Sequence, residues 1–234
     1  MTHDYLTARV KHREAVTASM IRIVLEGGDL HRFASTGRPD EFVWLSFPTD
    51  DDEEGTGRYY TVRRWDSARA EMTIDFVKHE IGIATNWAQQ AREGDAIRLL
   101  APRFRFNPPS DAGYIALIAD MTGLPAVGRI LEELPDKISV IAHVEIPHEN
   151  ERQIIETACH VTLQWHETAG CGNQRTRLFD IARAVRFPDG PGYVWIAGEA
   201  KAVSQSRKYL RDVMGFDKDH ITSVGYWVHG QARS

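Results

Sequence analysis

Six consecutive residues, Arg58-Tyr59-Tyr60-Thr61-Val62-Arg63, place a guanidinium, an aromatic ring and a hydroxyl close together in the chain. On a strand, side chains alternate between faces, so Arg58, Tyr60 and Val62 share one face. A guanidinium can hold a diphosphate bidentately, an aromatic ring can stack on a flat heterocycle, and hydroxyl or backbone groups can bond its polar edge. Those are the needs of a bound flavin. The same spacing equally suits an ordinary edge strand with surface arginines. Other reactive side chains point nowhere in particular. The ten histidines are scattered, with no pair at helical spacing around a glutamate, and the two cysteines, Cys159 and Cys171, are too few for a disulfide framework, a zinc ribbon or an iron–sulfur cluster. The acidic run Asp50 to Glu54, followed by two glycines, reads as a solvated loop, and no metal site is expected.

These residues need elements to position them. With 234 residues, 42% hydrophobic and 26% charged, the chain has the balance of a globular protein and room for two domains. From Leu6 to Leu100, short β-rich runs recur at Ser19–Leu25, Glu41–Phe47, Tyr59–Arg63, Glu71–Val77 and Ala96–Leu100, which suggests a barrel. One helix interrupts it, Ala84–Arg92, between Gly82 and the Gly94-Asp95 turn. Phe106–Gly113, with two prolines and a glycine, has the composition of a linker, so a boundary is expected between residues 1–110 and 111–234. Beyond it apolar runs at Tyr114–Ala119, Ile138–Val144, Val161–Trp165 and Tyr193–Ala197 alternate with helical stretches at Pro125–Leu134, Thr176–Val185 and Glu199–Met214. This is an α/β pattern with a parallel sheet. On the last helix Ala200, Val203, Leu210 and Met214 fall near one face, with Gly215 as the stop. The fold class expected is therefore an antiparallel β-barrel followed by an α/β domain.

The net charge of −5 divides almost evenly between the halves, without the cationic excess that nucleic-acid binding needs. No segment approaches the roughly 20 apolar residues that span a bilayer, and the N-terminus lacks an apolar run after a basic start. A cytoplasmic protein that binds neither nucleic acid nor membrane is expected.

The segment Arg58-Tyr59-Tyr60-Thr61 resembles the R-x-Y-[TS] flavin motif of the ferredoxin reductase-like superfamily, whose layout is an FAD-binding barrel followed by an α/β nicotinamide-binding domain. Further matches are more specific. Asp75-Phe76-Val77-Lys78-His79, Ala84-Thr85-Asn86-Trp87-Ala88, Gly94-Asp95 and Ala101-Pro102 resemble the corresponding run of siderophore-interacting proteins. So do Asp120-Met121-Thr122-Gly123-Leu124-Pro125-Ala126, Trp195-Ile196-Ala197-Gly198-Glu199 and the ending Gly225-Tyr226-Trp227-Val228-His229-Gly230. The resemblance spans nearly the whole chain.

It implies that Arg58 contacts the FAD diphosphate, Tyr60 packs on the isoalloxazine, and Thr61 with Val62 lies at its reactive edge. Asp75, Val77 and His79 would line the flavin, while Ala84 and Thr85 open a helix whose free amides suit a phosphate. Trp87 reads equally as a flavin neighbour or a core aromatic. For the nicotinamide, NADPH or NADH, the resemblance implicates Thr122, the Ala197-Gly198-Glu199 turn, Tyr226 and Trp227; the first two sit where strands of an open sheet end. The implied reaction is hydride transfer to flavin N5, then single electrons to a ferric siderophore, with release of iron(II). No catalytic acid or base is needed beyond the residues that position the cofactors. Arg63, Arg64, Arg103 and Arg105 are expected on a basic rim for an anionic chelate. The turn Ala101-Pro102-Arg103-Phe104 lacks the glycines usual there. A ferredoxin is the alternative electron donor.

Overall fold

The computed structural model describes residues 4–49, 52–79, 82–168 and 176–230. The chain divides into two compact units, Met1–Arg105 and Phe106–Ser234, each taken by itself below.

In the first unit β1 (Leu6–Thr17), β2 (Met20–Glu26), β3 (Phe42–Thr49), β4 (Asp52–Asp66), β5 (Glu71–Val77) and β6 (Ala96–Leu99) close into a barrel in the order β1-β2-β5-β4-β3-β6. Every neighbouring pair is antiparallel. Alternation makes the core: Ile21, Ile23 and Leu25 of β2, Val43, Leu45 and Phe47 of β3, and Met72, Ile74 and Phe76 of β5 are buried in one cluster, while the residues between them take the opposite face, where Ser46 and Asp75 are also buried. The helix α1 (Ile83–Gln90) lays Ala84, Trp87 and Ala88 onto the same cluster.

Two expectations are corrected. β1 is a twelve-residue strand that the sequence hides, because its second half, Lys11 to Thr17, carries charge on both faces and is largely exposed. The loop expected for the acidic run is in part strand: β4 begins at Asp52, paired with Thr49 of β3, so Asp52–Glu54 lie in a hairpin arm, and Asp50 and Asp51 fall outside the described residues.

The second unit holds β7 (Tyr114–Ala119), α2 (Leu124–Glu133), β8 (Ser139–Ile146), β9 (His160–Glu167), α3 (Leu178–Ala184), β10 (Gly192–Glu199), α4 (Ala200–Asp212) and β11 (Ile221–Trp227). The strands form one parallel sheet, β11-β10-β7-β8-β9. Its central strands β7 and β10 are buried along their whole length, as a sheet covered on both faces requires. Tyr114, Ala116 and Ile118 pack with Leu178, Ile181, Val203 and Leu210 of α3 and α4. The chain builds outward from β7 to β9, then returns to the other side of β7 with β10. The C-terminal ends of β7 and β10 thus flank the topological switch point, where open α/β sheets bind ligands.

Pro125 starts α2 and Pro135 follows its end, while Gly215, at φ 76°, follows α4. The buried stripe of α4 keeps Val203 and Leu210 of the expected set and has Ala202 and Ser206 in place of Ala200 and Met214. Met214 is 42% exposed because α4 ends at Asp212, which leaves it past the last helical turn.

Candidate functional site

The first unit offers a seam that its own strands do not close. The ladder between β4 and β5 covers only Val62–Asp66 against Glu71–Ile74. Before Val62, β4 pairs with β3 alone. Val62 donates its N–H to Glu41, whereas Phe42 and Trp44, which lie opposite Thr61 and Tyr59, turn their backbones to Arg103 and Leu100. By the alternation of an antiparallel pair, Tyr59 and Thr61 direct their N–H and C=O groups away from β3, toward the parted seam. A strand edge left this way binds polar partners.

A bulge parts the strands. Between Val62 and Arg64 the register slips, and Arg63 is the extra residue. Its guanidinium, 10% exposed, lies 3.9 Å from the fully buried carboxylate of Asp75. Asp75 also accepts a bidentate pair from Arg22, its cross-strand partner, at 2.8 Å and 2.8 Å. Asp75 and Arg63 thus anchor the bulge. The rim expected for Arg63 is not where its side chain lies; Arg64, Arg103 and Arg105 are exposed, with Arg103 5.8 Å from the Tyr59 ring.

Arg58 and Tyr60 do share a face, the one turned to the barrel interior with Val43 and Leu45. Tyr60 meets Phe76 at 4.4 Å between ring centroids, and Phe76 lies 5.9 Å from Trp87. Phe47 completes this aromatic group. Burial pushes the Tyr60 phenol well above its usual value, against the pull of Arg58, so it stays protonated. Thr61, 7% exposed, points to the opposite face. At the end of β5, Val77 is half-buried and His79 exposed, and the His79 N–H lies 3.4 Å from Thr85 Oγ1. A Cβ on Gly82 would come within 2.2 Å of the His79 ring. The His79 ring thus lies over Gly82 just before α1, and no side chain caps the start of that helix. The first-turn amides of Ile83, Ala84 and Thr85 are then donors without intrahelical partners. Aromatic faces, an arginine, a strand edge and helix amides make a donor set that fits a flat heterocycle joined to a diphosphate.

In the second unit the segments expected to serve the nicotinamide converge on a residue that the sequence reading passed over. Asp120, at the end of β7 and 5% exposed, accepts from Thr122 N–H and Oγ1 at 2.8 Å and 2.5 Å, from Glu199 N–H at 2.9 Å and from Trp227 Nε1 at 2.8 Å. Burial pushes its carboxyl upward, and these hydrogen bonds oppose the shift. Gly198, at φ 150°, makes room, since a Cβ there would sit 2.4 Å from Asp120 Oδ2. Glu199 caps α4 through Ala202 N–H at 2.8 Å and accepts from His229 N–H at 3.3 Å. Burial raises the Glu199 carboxyl, but the amides of Ala202, Lys201 and His229 outweigh it and leave a net lowering. Ala197 is fully buried and Tyr226 half-buried. The signal for Asp120 was its place, a carboxylate closing an otherwise apolar strand.

Beside this edge, His143 of β8 and His166 of β9 are linked Nδ1 to Nε2 at 2.9 Å with stacked rings. One of them must be the acceptor, so the pair carries at least one neutral ring. Burial and His166 pull His143 down to about 4, and burial and Arg177 lower His166. Among the described residues no group of three or more metal-ligating side chains occurs. Cys159 is buried against Thr157, and Cys171 falls outside the described residues.

Comparison with known proteins agrees with this architecture. The family model for siderophore-interacting proteins matches residues 112–230, and that for the siderophore-interacting FAD-binding domain matches residues 44–106. The mycobactin import ATP-binding/permease protein IrtA of Mycolicibacterium smegmatis is 31% identical over 96% of this chain; the chain spans only 26% of that protein. The NADPH-dependent ferric-chelate reductase of Escherichia coli is 29% identical over 92% of this chain and 89% of its own length. Among solved structures, a siderophore utilization protein from T. fusca superposes with a TM-score of 0.86 at 28% identity, covering 98% of this chain and 94% of that one. With a barrel, a parallel sheet and family matches to both, the chain belongs to the siderophore-interacting protein family.

Proposed function

We propose that the protein is an FAD-dependent oxidoreductase that takes electrons from NADPH or NADH and reduces ferric siderophores, releasing iron(II). The observation that carries this reading is the short β4–β5 ladder, which leaves the edge of β4 before Val62 paired with β3 alone; the Tyr60–Phe76 ring pair, Arg58 on the same strand and the start of α1 without a side-chain cap support it. Bound there, FAD supplies the conversion between the two-electron chemistry of a nicotinamide and the one-electron chemistry of iron.

In this reading residues 1–110 hold FAD and residues 111–234 hold the nicotinamide nucleotide. Arg58 neutralises the diphosphate together with the amides of Ala84 and Thr85. Tyr60, backed by Phe76 and Trp87, supplies a flat apolar wall, and the backbone of Thr61, Val77 and His79 bonds the polar edge of the ring. Asp75 acts through the bulge at Arg63 rather than by contact. Val62 fixes Tyr60 by filling the core beside it. In the second domain Thr122, Ala197-Gly198-Glu199, Tyr226 and Trp227 receive the nicotinamide. No side chain exchanges a proton with the iron chelate; the chain binds, orients and excludes water. Arg64, Arg103 and Arg105 attract an anionic chelate. A nicotinamide donor favours a cytoplasmic reaction; separately, no helix among the described residues is long and apolar enough to cross a membrane.

The test is anaerobic turnover of the FAD-loaded protein with NADPH, a ferric siderophore and a chromogenic iron(II) trap. Iron(II) formed at twice the NADPH consumed, and only with FAD present, supports the reading. Iron(II) formation that is independent of FAD contradicts it.

A further inference from the structure

The Asp120 carboxylate is saturated in a way only a carboxylate permits. Each oxygen accepts two hydrogen bonds: Oδ1 from the N–H and hydroxyl of Thr122, Oδ2 from the Glu199 N–H and the Trp227 indole. The donors come from the turn after β7, the end of β10 and the end of β11, three neighbouring strands in the sheet order. Glu199 and Trp227 lie 79 and 107 residues away in sequence. The glycine at position 198 leaves Oδ2 the space that a Cβ would take. Glu199 extends the network to the start of α4 and to His229.

We infer that Asp120 is the positioning residue of the nicotinamide half-reaction, fixing the Thr122 turn, the Gly198-Glu199 turn and the Trp227 indole in one arrangement at the switch point. The inference rests on the reading that this edge receives the nicotinamide. An amide of the same shape loses at least one of the four bonds, because its NH2 end would face either the Glu199 N–H and the Trp227 indole, two donors, or the Thr122 N–H beside a hydroxyl that can turn to accept. Disorder at this edge would slow hydride delivery, because reaction rates depend steeply on donor–acceptor placement.

The experiment separates the two half-reactions in FAD-loaded D120N. Anaerobic stopped flow follows flavin bleaching by NADPH; in parallel, dithionite-reduced protein is mixed with ferric citrate and its reoxidation followed. The expected result is bleaching slowed roughly 10-fold or more, by the loss of at least one such hydrogen bond, with reoxidation within about 2-fold of wild type, the change a conservative substitution at an uninvolved position leaves. W227F, which removes one donor and keeps three, should show a smaller loss in the same half-reaction, and it stands in for D120N if that variant does not fold. Equal slowing of both half-reactions, or of neither, overturns the inference. Should wild type itself resist both NADPH and NADH, the nicotinamide reading fails. The fastening by Asp120 is then tested by the Trp227 indole proton in NMR, slow to exchange in wild type and fast in D120N. Unchanged exchange overturns it.

Discussion

Arg58 is the residue on which cofactor affinity should depend most. If Arg58 holds the diphosphate as proposed, its loss removes a charge-assisted bond of about 1.5–3 kcal/mol, so R58A should raise the FAD dissociation constant roughly 10- to 100-fold, measured by fluorescence titration of the apoprotein. R58K should recover only part of this, since an ammonium lacks the bidentate fork. An unchanged constant in R58A would remove Arg58 from the site. His143 sets a second expectation. Its ring is held neutral down to about pH 4, against an ordinary value of 6.5. As pH falls from 6.5 toward 4 the unfolded chain takes up a proton that the folded protein refuses, so stability present above pH 6.5 is lost across that window. The loss is on the order of 2 kcal/mol, and H143Q should flatten the pH dependence of urea unfolding there. A parallel dependence in H143Q would contradict this. That Arg58 and Tyr60 share a face and Thr61 takes the other was legible, because it follows from alternation within one strand. Asp120 was not, because two of the segments that give it meaning lie far along the chain.

Among elements, the β4–β5 bulge connects stability to the seam. Asp75 is fully buried between Arg22 and Arg63, and D75A would take a buried carboxylate away from both guanidinium groups. Removing one member of a buried pair costs about 3–5 kcal/mol, so D75A should lower the urea midpoint accordingly and weaken FAD binding as the bulge relaxes. A midpoint shift with intact FAD affinity would confine Asp75 to stability. At the other edge, G198A forces a side chain into a φ of 150° against Asp120. It should destabilise by about 1–3 kcal/mol, checked by the same unfolding. Pro135 made the end of α2 legible, since proline cannot continue a helix. β1 was hidden because one end of a barrel strand can be solvated on both faces, which erases the alternation. Met214 was misjudged because helical spacing says nothing about where the last turn stops.

For the whole molecule, the order of barrel and α/β unit was legible from the change of rhythm near Phe106–Gly113. Composition could not say which ligand either unit holds; the proposed assignment draws on the resemblance, the strand register and the carboxylate network. The central claim is that one chain passes electrons from a nicotinamide through FAD to chelated iron. Its most direct test is the flavin absorbance of the FAD-loaded protein in an anaerobic cuvette, followed on adding NADPH and then a ferric siderophore. The account predicts bleaching on the first addition and return of the oxidised spectrum on the second. A flavin that NADPH and NADH both leave oxidised while reduced ferredoxin bleaches it would contradict the nicotinamide as donor. A flavin that bleaches but stays reduced when the siderophore is added would contradict chelated iron as the acceptor.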